Sequence, residues 1–258
     1  MYLSNHILNF LSHLQLTIQL PKGVHVMNPY LDLAAWKLCE QFYNKYYSDD
    51  APRVLVLGIN PGRFGGGITG IPFTDPLTLE KECGILNTLK KKTELSAEFI
   101  YRMIRAYGGP DQFYRRFYIS ALSPLGFILD GKNLNYYDNK ELEKKVTPFI
   151  IDSVRAQLGF GIRDDVCFCL GEGENFKFLS QLNSSHHFFE RIIPLAHPRF
   201  IMQYRRKKID EYADQGGQGD RVRKHGAEQV ALLALLADRR ARYDDRLSID
   251  HFSHYAAG

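Results

Sequence analysis

Four short apolar runs constrain this chain more than any other feature: Arg53–Ile59 (RVLVLGI), Phe117–Leu122 (FYISAL), Val166–Leu170 (VCFCL) and Arg191–Ala196 (RIIPLA). Each is apolar or β-branched almost throughout, as expected of a strand covered on both faces. Helical patterns lie between and around them, over Tyr30–Tyr47, Ala97–Tyr107, Asn139–Leu158, Asn175–Leu182 and Met202–Tyr212. In the first of these, Leu31, Ala34, Ala35, Leu38 and Phe42 fall on one side. Strands and helices in alternation predict an α/β fold: a three-layer αβα domain around a mostly parallel four-stranded sheet. Ligands of such sheets sit beyond the carboxyl ends of the strands. That rule points to the turn leaving the first strand and to His197, which leaves the fourth.

A chain of 258 residues with 45% hydrophobic content supports one sizeable core with an appendage. The boundary shows in composition. Residues 213–258 hold six Arg, one Lys, eight Ala and no Asn, whereas 1–212 hold 12 Arg, 14 Lys, eight Ala and 11 Asn. The expected division is a domain over 1–212 and an appendage over 213–258, partly helical and of foreign composition. The alternative for the appendage is an ordinary helix, Ala227–Arg242, after the Gly-rich linker Gln215–Gly219. No chemistry is assigned to it, and His251 and His254 read as surface histidines. The formal charge of +4 suits an anionic partner without demanding one. No apolar run approaches the roughly 20 residues of a membrane span. Cys39, Cys83, Cys167 and Cys169 form no CxxC pair, and no signal peptide precedes them, so a reduced cytoplasmic setting is expected. A monomer is expected as well.

The stretch Leu57–Phe73 (LGINPGRFGGGITGIPF) follows the first strand. It has no Gly-Lys-Ser/Thr and is not a P-loop. GGGITG (Gly65–Gly70) satisfies G-x-G-x-x-G, but it starts well after the strand, and Ile71-Pro72-Phe73 follows where a dinucleotide fold opens a helix. About a dozen residues separate Asn60 from Phe73, which is long for a plain connector. Gly62, Gly65, Gly66, Gly67 and Gly70 let a bulky ligand approach backbone N–H donors. Asn60 offers an uncharged donor and acceptor, and Phe73 a flat face. Together they describe a pocket for a heterocyclic base; a purely structural loop is the alternative.

The segment from Gly58 to Phe73 resembles the first motif of the uracil-DNA glycosylase superfamily. It is most similar to the single-strand-selective monofunctional branch, whose motif has the form G-[ML]-N-P-G-P-F-G-x-x-x-T-G-x-P-F. Gly58, Asn60, Pro61, Gly62, Phe64, Gly65, Thr69, Gly70, Pro72 and Phe73 match without a gap, while Ile59 and Arg63 depart. The superfamily's His-Pro motif matches Pro194–Phe200 (PLAHPRF). The resemblance spans residues 28–212. It implies a monofunctional DNA glycosylase that acts on DNA containing deaminated bases, starts base excision repair, and uses no metal or cofactor. His197 would donate a hydrogen bond to the departing base, whose negative charge grows in the transition state. Asn60 would aim the attacking water but, as an amide, could not deprotonate it. Asp75 is the only nearby carboxylate to consider for that task. Phe73 would stack on the base, with Gly62, Phe64, Gly65, Ser120 and Ser123 around it. No lysine lies in either motif, so a lyase reaction is not indicated.

The middle motif departs. The branch carries Asn-x-Cys-Pro-Leu, in which the Asn reads the base edge. Here Ser120–Phe127 (SALSPLGF) puts Ala121 at the Asn and Ser123 at the Cys. Losing a paired polar contact relaxes discrimination, so xanthine and hypoxanthine join uracil as expected substrates. Arg199, Phe200 or Ile201 would wedge the vacated stack, and Arg205, Arg206, Lys207 and Lys208 would hold phosphates. Lys90–Lys92, Arg115 and Arg116 read as plain surface, and Cys169–Leu179 (CLGEGENFKFL) as structural support. Buried thiols explain the four cysteines better than an iron–sulfur cluster. Two rivals stay open: a non-catalytic nucleic-acid-binding module of the same fold, and a hydrolase of free nucleosides.

Overall fold

The computed structural model describes residues 1–202. Arg205, Arg206, Lys207, Lys208, the rest of the expected 202–212 helix and the 213–258 appendage lie outside the described residues. The strands are β1 (Val24–Met27), β2 (Val54–Gly58), β3 (Phe117–Ala121), β4 (Gly126–Leu129), β5 (Lys132–Leu134), β6 (Arg163–Leu170) and β7 (Ile192–Leu195). The helices are α1 (Leu3–Ser12), α2 (Leu33–Tyr46), α3 (Gly66–Thr69), α4 (Pro76–Cys83), α5 (Leu95–Tyr107), α6 (Pro110–Tyr114), α7 (Lys140–Leu158) and α8 (Glu174–His186).

The four apolar runs form one sheet in the order β3-β2-β6-β7, parallel throughout. Every residue of β2 and β3 is buried. Successive side chains point to opposite faces, so both faces of the sheet are covered, as in a three-layer α/β fold. The chain runs from β2 to β3 on one side and then crosses to β6 on the other. That makes the gap between β2 and β6 the topological switch point.

Helices α1, α3, α4 and α6 add to those the sequence pattern predicts, and three further features differ from that expectation. A second, antiparallel sheet, β1-β4-β5, stands beside the first; its strands are only three or four residues long and partly exposed, too short for a periodic signal. Strand β6 begins at Arg163, earlier than its apolar run, because the Arg163 N–H donates to the Arg53 carbonyl at 2.9 Å ahead of an irregularity in the ladder, while the Arg163 side chain pairs with Asp165. The expected helix over Tyr30–Tyr47 is split. Pro29–Leu31 is a 3₁₀ turn, and Asp32 then caps α2 by accepting from the Ala34 and Ala35 N–H groups at 2.8 and 3.0 Å. All four cysteines are buried free thiols. Among the described residues no group of three or more His, Cys, Asp or Glu could hold a metal ion, and no helix is long and apolar enough to cross a membrane.

Candidate active site

The carboxyl ends of all four parallel strands open into one cavity of about 540 Å³. Gly58–Gly62 line it from β2, Ser120 and Ala121 from β3, Gly171–Asn175 after β6, and His197, Arg199 and Phe200 after β7. The size falls in the usual range for a small-molecule site.

Asn60 enters with its amide already oriented. Its Oδ1 accepts from the Tyr136 N–H at 3.2 Å, and its Nδ2 points toward the carbonyls of Leu134 and Pro61 at 3.3 and 3.4 Å. The Tyr136 hydroxyl donates to Asn175 Oδ1 at 2.8 Å, and Asn175 Nδ2 donates to the Leu170 carbonyl at 3.1 Å. One buried chain of bonds thus ties the β2 turn to the β6 turn. Gly171, in that second turn, lies against both Asn175 and His197.

His197 caps the helix that opens at Pro198. Proline suits the first helical position because its missing N–H has no partner there anyway. The His197 carbonyl accepts from the Phe200 N–H at 3.0 Å, and its ring Nδ1 accepts from the Arg199 N–H at 3.2 Å. An accepting Nδ1 places the ring proton of the neutral imidazole on Nε2. Burial, helped by the Arg199 charge, lowers the His197 pKa to about 4. The residue is therefore a neutral Nε2–H donor at physiological pH.

Phe73 stands 6.3 Å from His197, ring centroid to centroid, at 57°. Its backbone is held at φ +52°, an uncommon conformation for an aromatic residue. The flanking bonds impose it. Thr69 Oγ1 donates to the Thr74 carbonyl at 2.6 Å and accepts from the Ile71 N–H at 3.1 Å, while Thr74 Oγ1 meets the Tyr101 hydroxyl at 3.0 Å. Gly58 is required beneath the ring, since a Cβ there would lie 2.9 Å from two Phe73 ring atoms.

Asn60, Gly62, Phe73, Ser120, His197, Arg199 and Phe200 all line the cavity. Phe64, Gly65 and Ser123 do not. The Phe64 ring is instead engaged by the Arg63 guanidinium at 4.6 Å and the Lys92 ammonium at 4.7 Å from its centroid. Ser123 is fully buried, and its hydroxyl donates to the Leu125 carbonyl at 2.7 Å. At Gly65 the open space expected for a ligand is taken by a protein group: a Cβ there would stand 1.8 Å from Glu94 Oε2. Asp75 is occupied elsewhere, capping α4 through the Thr78 N–H at 2.8 Å and holding the Glu94 N–H at 2.9 Å. Of the three wedge candidates, Ile201 is packed with Phe99 in a small apolar cluster, whereas Phe200 is 59% exposed.

The residues that sequence reasoning missed are Tyr136, Asn175 and above all Glu94, which brings a carboxyl to the cavity wall. Burial, reinforced by the charge of Asp75 and opposed by that of Arg199, raises the Glu94 pKa to about 7. Nothing in the lysine-rich stretch KKKTELS marks it out; only the fold carries it to the glycine turn.

Residues 45–215 match the family model described as the Uracil DNA glycosylase superfamily. The "Single-strand selective monofunctional uracil-DNA glycosylase" of Rattus norvegicus is 27% identical over 139 residues, 47% of this chain and 49% of that protein. The chain thus spans about half the length of this curated relative. The crystal structure of wild-type SMUG2 from Pedobacter heparinus superimposes with a TM-score of 0.80 at 46% identity, covering 90% of this chain and 98% of that one.

Proposed function

Because the chain belongs to the uracil DNA glycosylase superfamily, we propose that it is a monofunctional DNA glycosylase that hydrolyses the N-glycosidic bond of uracil in DNA. The observation that carries this reading is the neutral, Nε2-protonated His197 sharing one cavity with a fixed Asn60 amide and the Phe73 ring. Breaking the bond leaves a cationic sugar and an anionic base. His197 donates to the base carbonyl that gains the charge, and Asn60 holds water for the sugar carbon. Phe73 stacks on the flipped base. Phe200, exposed at the rim, fills the gap the base leaves in the strand, and Arg199 meets a phosphate. The product is an abasic site, the entry to base excision repair.

The reading extends to xanthine and hypoxanthine. Ala121 lies in the cavity wall where the resembling branch has a base-reading amide, so no amide at that position selects for the edge of uracil. Single-turnover cleavage of strands carrying one uracil, xanthine or hypoxanthine tests it, with free deoxyuridine as control. Rates for xanthine within about 100-fold of uracil are expected, the discrimination left when shape rather than a paired amide does the selecting. Strict uracil specificity would remove the extension, and turnover of deoxyuridine without DNA would overturn the DNA reading.

Gly58→Ala should push the Phe73 ring off its seat. Cleavage is expected to fall about tenfold, the equivalent of one weakened stacking contact. Overpacking adds a stability cost of about 1–3 kcal/mol. Single-turnover rates and urea melts read the two effects separately, and an unchanged rate would mean that the ring's seat is irrelevant to the reaction.

A further inference from the structure

We propose that Glu94 is a further catalytic residue: the general base that takes the proton from the water Asn60 aims. This rests on the glycosylase reading above. Glu94 occupies the cap position of α5, where a carboxylate ordinarily bonds the free amides of the first turn. Its side chain makes no such bond. Instead its backbone is pinned by Asp75, and its carboxyl turns back over the β2 turn. Oε1 lies 3.0 Å from the site a Gly62 Cβ would occupy, and Oε2 fills the corresponding space at Gly65. Both glycines are needed to admit it. Glu94 lines the same cavity as Asn60, Phe73 and His197.

No hydrogen bond fixes either carboxyl oxygen among the described residues. The side chain is only half-buried, so both oxygens stay open to the cavity rather than sealed in the core, and perturbed titratable groups in clefts mark functional sites. The charged groups that face it are Asp75 from the cap of α4 and Arg199 after β7. With its pKa raised to about 7, it is a stronger base than an ordinary carboxylate and is still half ionised at neutral pH.

The step balances. The water oxygen forms a bond to the sugar C1′ as the C1′–N bond breaks. The bonding pair leaves with the base as an anion, held by His197 Nε2–H. The water's proton passes to a Glu94 oxygen and from there to solvent or to the departing base. Asp75, spent on two backbone amides, has no part in it.

The test is kcat/KM between pH 5.5 and 9 on a uracil-containing single strand, for wild type, Glu94→Gln and Glu94→Asp. The affinity of each for a strand bearing an uncleavable 2′-fluoro analogue is measured alongside. Wild-type kcat/KM is expected to rise with pH and level off above about 7. Glu94→Gln should lose that rise and sit about 100-fold lower on the plateau, with affinity no weaker. Glu94→Asp should recover part of the rate. The proposal is overturned if Glu94→Gln stays within about threefold of wild type, if the rise persists in it, or if weaker binding accounts for the loss. Absence of cleavage by wild type would sink the glycosylase reading and this proposal together. A cleaving wild type whose pH profile ignores Glu94 would sink this proposal alone.

Discussion

His197→Ala is expected to slow single-turnover cleavage of uracil-containing DNA about 100- to 1,000-fold, the usual cost of removing one preorganised donor from a developing anion. The magnitude follows from how the ring is held. The Arg199 N–H occupies Nδ1 at 3.2 Å, so the tautomer is set before substrate arrives and no reorganisation is needed during the reaction. Burial keeps the pKa at about 4, so the donor is an imidazole rather than an imidazolium at neutral pH. The loss should therefore be the same at pH 6 and pH 9, unlike the pH-dependent effect expected at Glu94. Asn60→Ala is expected to cost about 100-fold on the same scale. The double variant should lose less than the product of the two, as expected of groups proposed to serve one transition state. DNA affinity should change by less than about threefold, since neither side chain is placed to meet a phosphate. A single variant that cleaves at the wild-type rate, or whose whole deficit lies in binding, would refute the assignment.

Asn60, Phe73 and His197 were legible because each is fixed by backbone rules that act locally. An apolar strand must end, a glycine-rich turn must reverse the chain, and a His-Pro pair opens a helix. Those rules place Asn60 and His197 just beyond strand ends and Phe73 in the loop after α3, and parallel pairing then gathers the strand ends into one cavity. Glu94 obeys no local rule. Asp75, the only carboxylate that sequence proximity offered, is consumed by capping, and the carboxyl that reaches the glycine turn comes from the start of another helix. Phe64 illustrates the opposite error. It matches a motif position, yet Arg63 and Lys92 engage its ring outside the cavity. Motif membership fixes the course of the backbone, not the direction of every side chain. The β1-β4-β5 sheet was missed for a plainer reason: strands of three or four residues are shorter than the window in which alternation can be recognised.

Arg53→Met is expected to destabilise the protein by about 3 kcal/mol while leaving the cleavage rate of folded enzyme within about twofold of wild type. Arg53 precedes β2 and is 0% exposed. Its Nε donates to the Tyr114 carbonyl at 2.8 Å, its Nη2 to Asp49 Oδ2 at 2.9 Å, and its guanidinium lies 5.7 Å from the Tyr47 ring centroid. Methionine can fill much of the volume but donates nothing, so the Tyr114 carbonyl loses its side-chain donor, at about 1–3 kcal/mol. The Ala51 carbonyl loses its Nη1 donor at 2.5 Å as well, and the guanidinium over the Tyr47 ring contributes the rest. Asp49→Asn should cost far less, about 1 kcal/mol at most, because that side chain is 48% exposed and water replaces its partner. Arg53 holds the Asp49 carboxyl below the usual range, so the pair's contribution is present above about pH 4 and fades on acidification. Urea melts give the stability differences, with equal slopes required for the comparison. The rate should survive because Arg53 and Asn60 lie beyond opposite ends of β2, whose five residues alone span about 17 Å. A variant that melts early yet cleaves normally at 15 °C would show that the head of the sheet supports the fold without tuning the site; a rate that falls in step with stability would show the two ends coupled through β2.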